Sequence, residues 1–140
     1  MKMVLRDEAY NQIQELCLCG NNLVLQSLYD DAISKYQEAL LLVPENKKEW
    51  ETATWIYTAL GDTCFLKRDF ERGKDYLFDA FNCPGGISNP FISLRLGECL
   101  AELGEVDKSK EYLLRAYMLE GGSIFQNEDA RYFDIIKEEI

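Results

Sequence analysis

The side chains that most often carry chemistry are here five cysteines and 25 carboxylates, in a chain with no histidine. Cys17 and Cys19 form a C-x-C, and the remaining thiols are Cys64, Cys83 and Cys99. On a helix, residues two apart project about 200° from one another, so Cys17 and Cys19 cannot share a metal ion without unwinding the backbone. A structural zinc site built from cysteine alone needs four thiolates, usually as two short-spaced pairs, and only one such pair is present. The expectation is therefore small buried core thiols, no metal and no cofactor. The missing imidazole also removes the Ser-His and Cys-His nucleophile pairs. Without a Gly-rich phosphate loop beside the carboxylates, no catalytic constellation is left, and the chain is expected not to be an enzyme.

Charge restricts the partners. Lysine and arginine number 15 against the 25 acids, a net charge of −10. That balance disfavours nucleic-acid backbones and anionic membrane surfaces, and favours a basic protein or peptide. The opening "MKMVLRDEAYNQI" has no apolar core of a signal peptide, and no apolar run approaches the roughly 20 residues of a membrane span. An odd number of cysteines without framework spacing fits reduced thiols, so a soluble cytoplasmic protein is expected. With 140 residues and 47% hydrophobic content, one domain with a substantial core is expected over residues 1–140.

The elements that must position these groups repeat along the chain. Counting from Gly61, the residues at +9, +12, +16, +19 and +20 are Phe70, Gly73, Leu77, Ala80 and Phe81. From Gly97 they are Val106, Ser109, Leu113, Ala116 and Tyr117, and from Gly20 they are Tyr29, Ala32, Tyr36, Ala39 and Leu40. Each glycine is followed by large, small, large, small, large at the same offsets. The glycines stand 41 and 36 residues apart, and the variation falls in the connectors "PENKKEW" and "CPGGISNP". Each unit reads as two amphipathic helices, the first carrying Tyr57, Leu60 and Cys64, the second Phe70, Leu77 and Phe81. A glycine inside a helix costs about 1 kcal/mol relative to alanine, so Gly61 and Gly73 are read as points where two backbones meet.

This pattern, large…Leu-Gly-x-x-large…Ala…large-x-x-Ala…Pro at a period near 34, is similar to the tetratricopeptide repeat. The resemblance covers nearly the whole chain, with units at about 13–46, 54–87 and 90–123. It implies an all-α fold, an α-solenoid of three such helix pairs plus a C-terminal closing helix at about 127–139. Asn127 is the expected N-cap of that helix, with Tyr132, Phe133, Ile135 and Ile136 as its apolar stripe. In "SNP", Asn89 precedes Pro90 as a cap followed by proline at the first helical position. "PENKKEW" suggests that the second unit's first helix begins early, near Lys47, with Trp50 on the extra segment.

The resemblance further assigns positions 2, 5, 9, 12 and 13 of each first helix to a concave groove. These are Gln14, Cys17, Asn21, Val24 and Leu25; then Trp55, Thr58, Asp62, Phe65 and Leu66; then Phe91, Leu94, Glu98, Ala101 and Glu102. Asn21, Trp55, Thr58, Asp62, Phe65, Phe91, Leu94, Glu98 and Glu102 are the candidate partner-binding residues, with Trp55 and Phe91 as aromatic anchors. Relatives that clamp a C-terminal carboxylate place lysines, arginine and asparagine in this groove. Here only Asn21 matches, and Asp62 and Glu98 would repel a carboxylate, so a basic ligand is expected instead. The reading is a non-enzymatic protein-binding module. The alternatives are an immunity-type protein that neutralises a basic toxin, as in short bacterial repeat proteins, and a structural subunit of a larger assembly.

Overall fold

The structure, a computed structural model, describes residues 7–140 as seven α-helices and three short 3-10 turns, with no strand among the described residues. Helix α1 (Asp7–Leu25) packs on α2 (Tyr29–Leu41), α3 (Glu51–Leu66) on α4 (Phe70–Phe81), and α5 (Pro90–Glu102) on α6 (Val106–Glu120). The pairs stack in order, α2 against α3 and α4 against α5, and α7 (Ala130–Ile136) closes the array against α6. This is the all-α solenoid with a closing helix that the sequence predicts. Among the described residues, no helix is long and apolar enough to cross a membrane.

The spacing of each pair comes from one rule. The residue sixteen positions beyond each glycine lays its side chain over that glycine. Tyr36 lies where a Cβ on Gly20 would come within 2.6 Å of its ring, Leu77 fills the same space over Gly61, and Leu113 over Gly97. Gly61 thus meets a side chain, where the sequence suggested a backbone. The close backbone approach is at Gly73, where a Cβ would stand 3.3 Å from the Gly61 carbonyl oxygen. At the equivalent place in the third pair, Ser109 Oγ donates to the Gly97 carbonyl at 2.7 Å. In the second and third pairs the small residue at +12 therefore rests on the carbonyl of the glycine it is paired with.

The turns inside the pairs also repeat. Ser27, Arg68 and Gly104, each seven residues past the glycine, adopt φ of 61°, 70° and 83°. The next amide in each case reaches back to the last turn of the helix: Leu28 N to Leu23 O, Asp69 N to Cys64 O and Glu105 N to Leu100 O, at 2.9, 2.8 and 2.9 Å. This is a Schellman closure with a left-handed C′ residue, and only the third unit uses the glycine that suits it.

Two element boundaries differ from expectation. The second unit's first helix begins at Glu51, and Lys47–Glu49 is a separate 3-10 turn. Trp50 between them is extended, at φ −109° and ψ 126°, and its ring packs against the core of the first two pairs, which interrupts helical continuity. The closing helix is capped by Asp129, which accepts from Arg131 N at 3.0 Å, so its cap lies two residues beyond the expected Asn127. Glu128 is drawn across α5 to an arginine described below, so the helix begins only beyond it. Asn89 caps α5 as expected, accepting from Phe91 N at 2.9 Å, with Pro90 behind it.

The glycine rule predicts that Gly97→Ala destabilises by about 1–3 kcal/mol, because the new methyl would stand 2.8 Å from Leu113 Cδ2 and 3.1 Å from its backbone nitrogen. Urea denaturation measures it, and a neutral result would show that the pair can spread at no cost. At the exposed turn, Ser27→Gly is expected to stabilise by about 0.5–1 kcal/mol in the same assay, since glycine bears the left-handed conformation without a Cβ penalty.

Candidate functional site

The first helices α1, α3 and α5 carry the groove positions, and the structure divides them into an open half and a filled half. Between α1 and α3 lies a concavity of about 460 Å³. Ile13, Cys17 and Leu18 of α1 form one wall, Trp55, Ile56 and Ala59 of α3 the other, and Tyr36 of α2 lies at the back. Among the described residues, no charged side chain lines it. Trp55 is 54% exposed at its edge, a large apolar surface left in water. Polar groups along the rim are Gln14, Thr52 and Asn21, and Asn21 Oδ1 accepts from the Tyr36 hydroxyl at 2.6 Å. A smaller hollow of about 270 Å³ extends the same face past Val24 and Leu25 to Asp62. Thr58 is half-buried and its hydroxyl donates to Thr54 O, which ties it to its own helix.

The half between α3 and α5 is occupied by the protein itself. Arg95, which the groove positions skip, lies there with only 12% of its side chain exposed. Its Nε donates to Asp62 Oδ1 at 2.8 Å, and its Nη1 to Glu98 Oε1 at 2.7 Å and Glu128 Oε1 at 2.6 Å. The guanidinium also covers the rings of Phe65 and Phe91, at 4.4 and 5.0 Å from their centroids. Phe65 meets Phe70 and Tyr132 edge to face, so it is a packing residue. Leu94 is buried with Phe125, Tyr132 and Ile136 beneath the closing segment. Glu102 accepts from Arg131 Nη2 at 2.9 Å and from the Tyr132 hydroxyl at 2.6 Å.

These positions revise the sequence reading of the groove. Asn21 and Trp55 border the open concavity and are available to a partner. Asp62, Phe65, Phe91, Leu94, Glu98 and Glu102 serve contacts within the chain. Leu94 and Glu98 are buried and cannot touch a partner in this conformation. Besides Asn21, the cationic Arg95 lies beside the groove positions, and its guanidinium is already engaged by the carboxyl groups of Asp62, Glu98 and Glu128. The only sequence signal for the clasp is the i,i+3 spacing of Arg95 and Glu98. Asp62 and Glu128 each lie 33 residues away, and folding alone brings them there. Cys17 borders the concavity and Cys19 is exposed, while Cys64, Cys83 and Cys99 are buried. Burial pushes the Cys64 thiol up to about 11 and that of Cys99 to about 12, values of inert core groups.

No protein-family model matches the sequence, and comparison with curated proteins finds no relative. Solved structures do resemble the fold. The first tetratricopeptide-repeat domain of Spaghetti (RPAP3), bound to an HSP90 peptide, superposes with a TM-score of 0.73 at 18% identity, over 90% of this chain and 94% of that one. The Yersinia enterocolitica type III secretion chaperone SycD, in complex with a peptide of the translocator YopD, gives 0.74 at 16% identity, over 95% of each chain. The tetratricopeptide-repeat domain of Arabidopsis OM64 gives 0.74 at 16% identity, over 94% of this chain and 99% of that one. The fold is that of the tetratricopeptide repeat.

The clasp has a pH signature. Glu98 is fully buried, its Oε2 has no hydrogen-bond partner, and burial, with Glu128 beside it, pushes its carboxyl up to about 9 against the opposing pull of Arg95. An unfolded glutamate releases its proton near pH 4.3, so between that value and about 9 the folded chain holds a proton that the unfolded chain has lost. Stability linked to Glu98 is therefore complete below about pH 4.3 and falls as pH rises through this window. Denaturation midpoints at pH 5, 7 and 9 are expected to decline less in Glu98→Gln, which keeps the shape and the acceptor for Arg95, than in the parent. Parallel curves for the two proteins would show that Glu98 is ionised in the folded state.

Proposed function

We propose that this chain is a non-enzymatic protein-binding module that takes an extended segment of a partner into the concavity between α1 and α3, with Trp55 as anchor. The observation that carries the reading is the exposed indole beside a largely apolar hollow of about 460 Å³ on the helices that carry the groove positions. Large aromatics beside such hollows supply most of the contact energy at binding surfaces. The superposable domains of Spaghetti and SycD hold peptides, which supports the same use of this fold here. The lining calls for an apolar side chain at the centre of the bound segment, with amide partners for Gln14 and Asn21 at its edge.

A basic partner is the second element of the reading. Its support is now the whole-chain charge of −10, because Asp62 and Glu98 are engaged by Arg95. Basic flanks on the bound segment would speed association through the long-range field, and the buried contact would set the dissociation rate. A peptide-display library selected on the full chain tests both parts. Selected peptides are expected to share an apolar anchor with lysine or arginine beside it. Trp55→Ala is expected to weaken them by about 2 kcal/mol, roughly thirtyfold, mainly as faster dissociation. Salt is expected to slow association and to leave dissociation nearly unchanged. Peptides that bind Trp55→Ala as tightly as the parent would move the site away from this concavity.

A further inference from the structure

The concavity beside Trp55 continues into the smaller hollow of about 270 Å³, and the two share Asn21, Tyr36 and Ala59 in their walls. The larger is lined by α1 as far as Asn21 and by α3 as far as Ala59, and the smaller carries on along α1 to Leu25 and along α3 to Thr63. A segment that passes from one to the other therefore runs lengthwise along both helices.

The two hollows differ in chemistry. Val24, Leu25 and Ala59 make the sides of the second one apolar, and among the described residues Asp62 is the one charged group in its wall. Arg95 takes Asp62 Oδ1 at 2.8 Å from outside that wall, yet the Asp62 side chain stays 30% exposed where that of Arg95 is 12% exposed. The single guanidinium is shared with Glu98 and Glu128, so carboxyl groups outnumber it around Asp62. An apolar sleeve that ends on a carboxylate suits a lysine or arginine side chain, whose methylene stem lies on apolar surface while its charged head reaches an acceptor. The hollow therefore has the chemistry of a cation subsite.

Spacing fixes where that cation stands in the bound segment. Asp62 lies seven residues beyond Trp55, and at a rise of about 1.5 Å per residue the two are about 10.5 Å apart along α3. About three residues of extended chain, at roughly 3.1–3.4 Å each, cover that distance. Three residues also make one turn of polyproline II, which returns a side chain to the same face. Resting on the reading that the concavity takes a partner segment anchored at Trp55, we infer that the smaller hollow is a subsite for a basic side chain of that segment, three residues from its apolar anchor, with Asp62 as the residue that selects it. The charge of the whole chain favours basic residues on either flank. This hollow favours one position.

A display library of peptides with a fixed central leucine and random flanks, selected in parallel on the full chain and on Asp62→Asn, tests this. Asparagine keeps an acceptor for Arg95 Nε and removes the charge. Asp107→Asn, at an exposed site on α6, removes the same charge far from the groove. The parent and Asp107→Asn are expected to enrich lysine or arginine at the third position on one side of the leucine. Asp62→Asn is expected to lose that enrichment and still to recover leucine-anchored peptides. On the parent alone, replacing that basic residue by norleucine in the strongest peptide is expected to weaken binding by about tenfold, and replacing a basic residue elsewhere by about twofold or less. Basic residues spread evenly over both flanks, or a positional enrichment that survives in Asp62→Asn, would overturn the subsite and leave the concavity reading standing. Leucine-anchored peptides that bind Trp55→Ala as tightly as the parent would overturn the concavity reading, and the subsite with it.

Discussion

Each pair is held at one distance by a side chain seated on a glycine sixteen residues earlier, and the rest of the architecture depends on that contact. Tyr36, Leu77 and Leu113 can reach their glycines only if the paired helices run close. Once they do, the small residue at +12 meets the carbonyl opposite, and the left-handed turn at +7 brings the second helix back along the first. Packed interiors tolerate little change in volume, so three copies of one contact impose one geometry on all three pairs. As a result α1, α3 and α5 present equivalent positions side by side, and a groove exists without any residue having been spent on shaping it.

What differs between the pairs decides where that groove can be used. Arg95 gathers Asp62, Glu98 and Glu128 at hydrogen-bond distance and lies over two aromatic rings, so the half of the face between α3 and α5 is filled. A buried ion cluster of this kind is weak evidence for stability, because desolvation offsets much of the attraction. Its plain effect is positional. It links α3, α5 and the segment before α7 through one side chain. Burial raises the Glu98 carboxyl against the pull of Arg95, and the hold of Arg95 on Glu128 sets where the closing helix begins. The half between α1 and α3 has no such insert, and there the indole of Trp55 stays in solvent.

The two ends are unequal for a related reason. The third pair is finished by α7, whose Tyr132 and Ile136 take the place of a further repeat. On the first pair, among the described residues, Gln12, Glu15, Lys35 and Glu38 make the outer face polar beside the exposed Leu41 and Cys19. Among the described residues the array is thus closed by α7 at one end, and the concavity between α1 and α3 lies near the other.

Periodicity alone determined the architecture. Apolar spacing, the three glycines and the offsets that follow them are local and repeated, so the all-α class, the number of pairs and the closing helix were legible without coordinates. The cap at Asn89 was legible for the same reason, being a short-range signal between adjacent residues. The helix start near Lys47 and the cap at Asn127 were misread because each depends on a distant contact, Trp50 with the core and Glu128 with Arg95. The groove was legible as a set of positions and illegible as a surface. Register says which residues lie on the first helices, but whether Glu98 and Leu94 meet water depends on a segment some thirty residues further on that folds over them. Only the tertiary structure could decide that Asp62, Glu98 and Glu128 converge on one arginine. Their separation along the chain carries no periodic signal, and their charges take meaning only once burial brings them together.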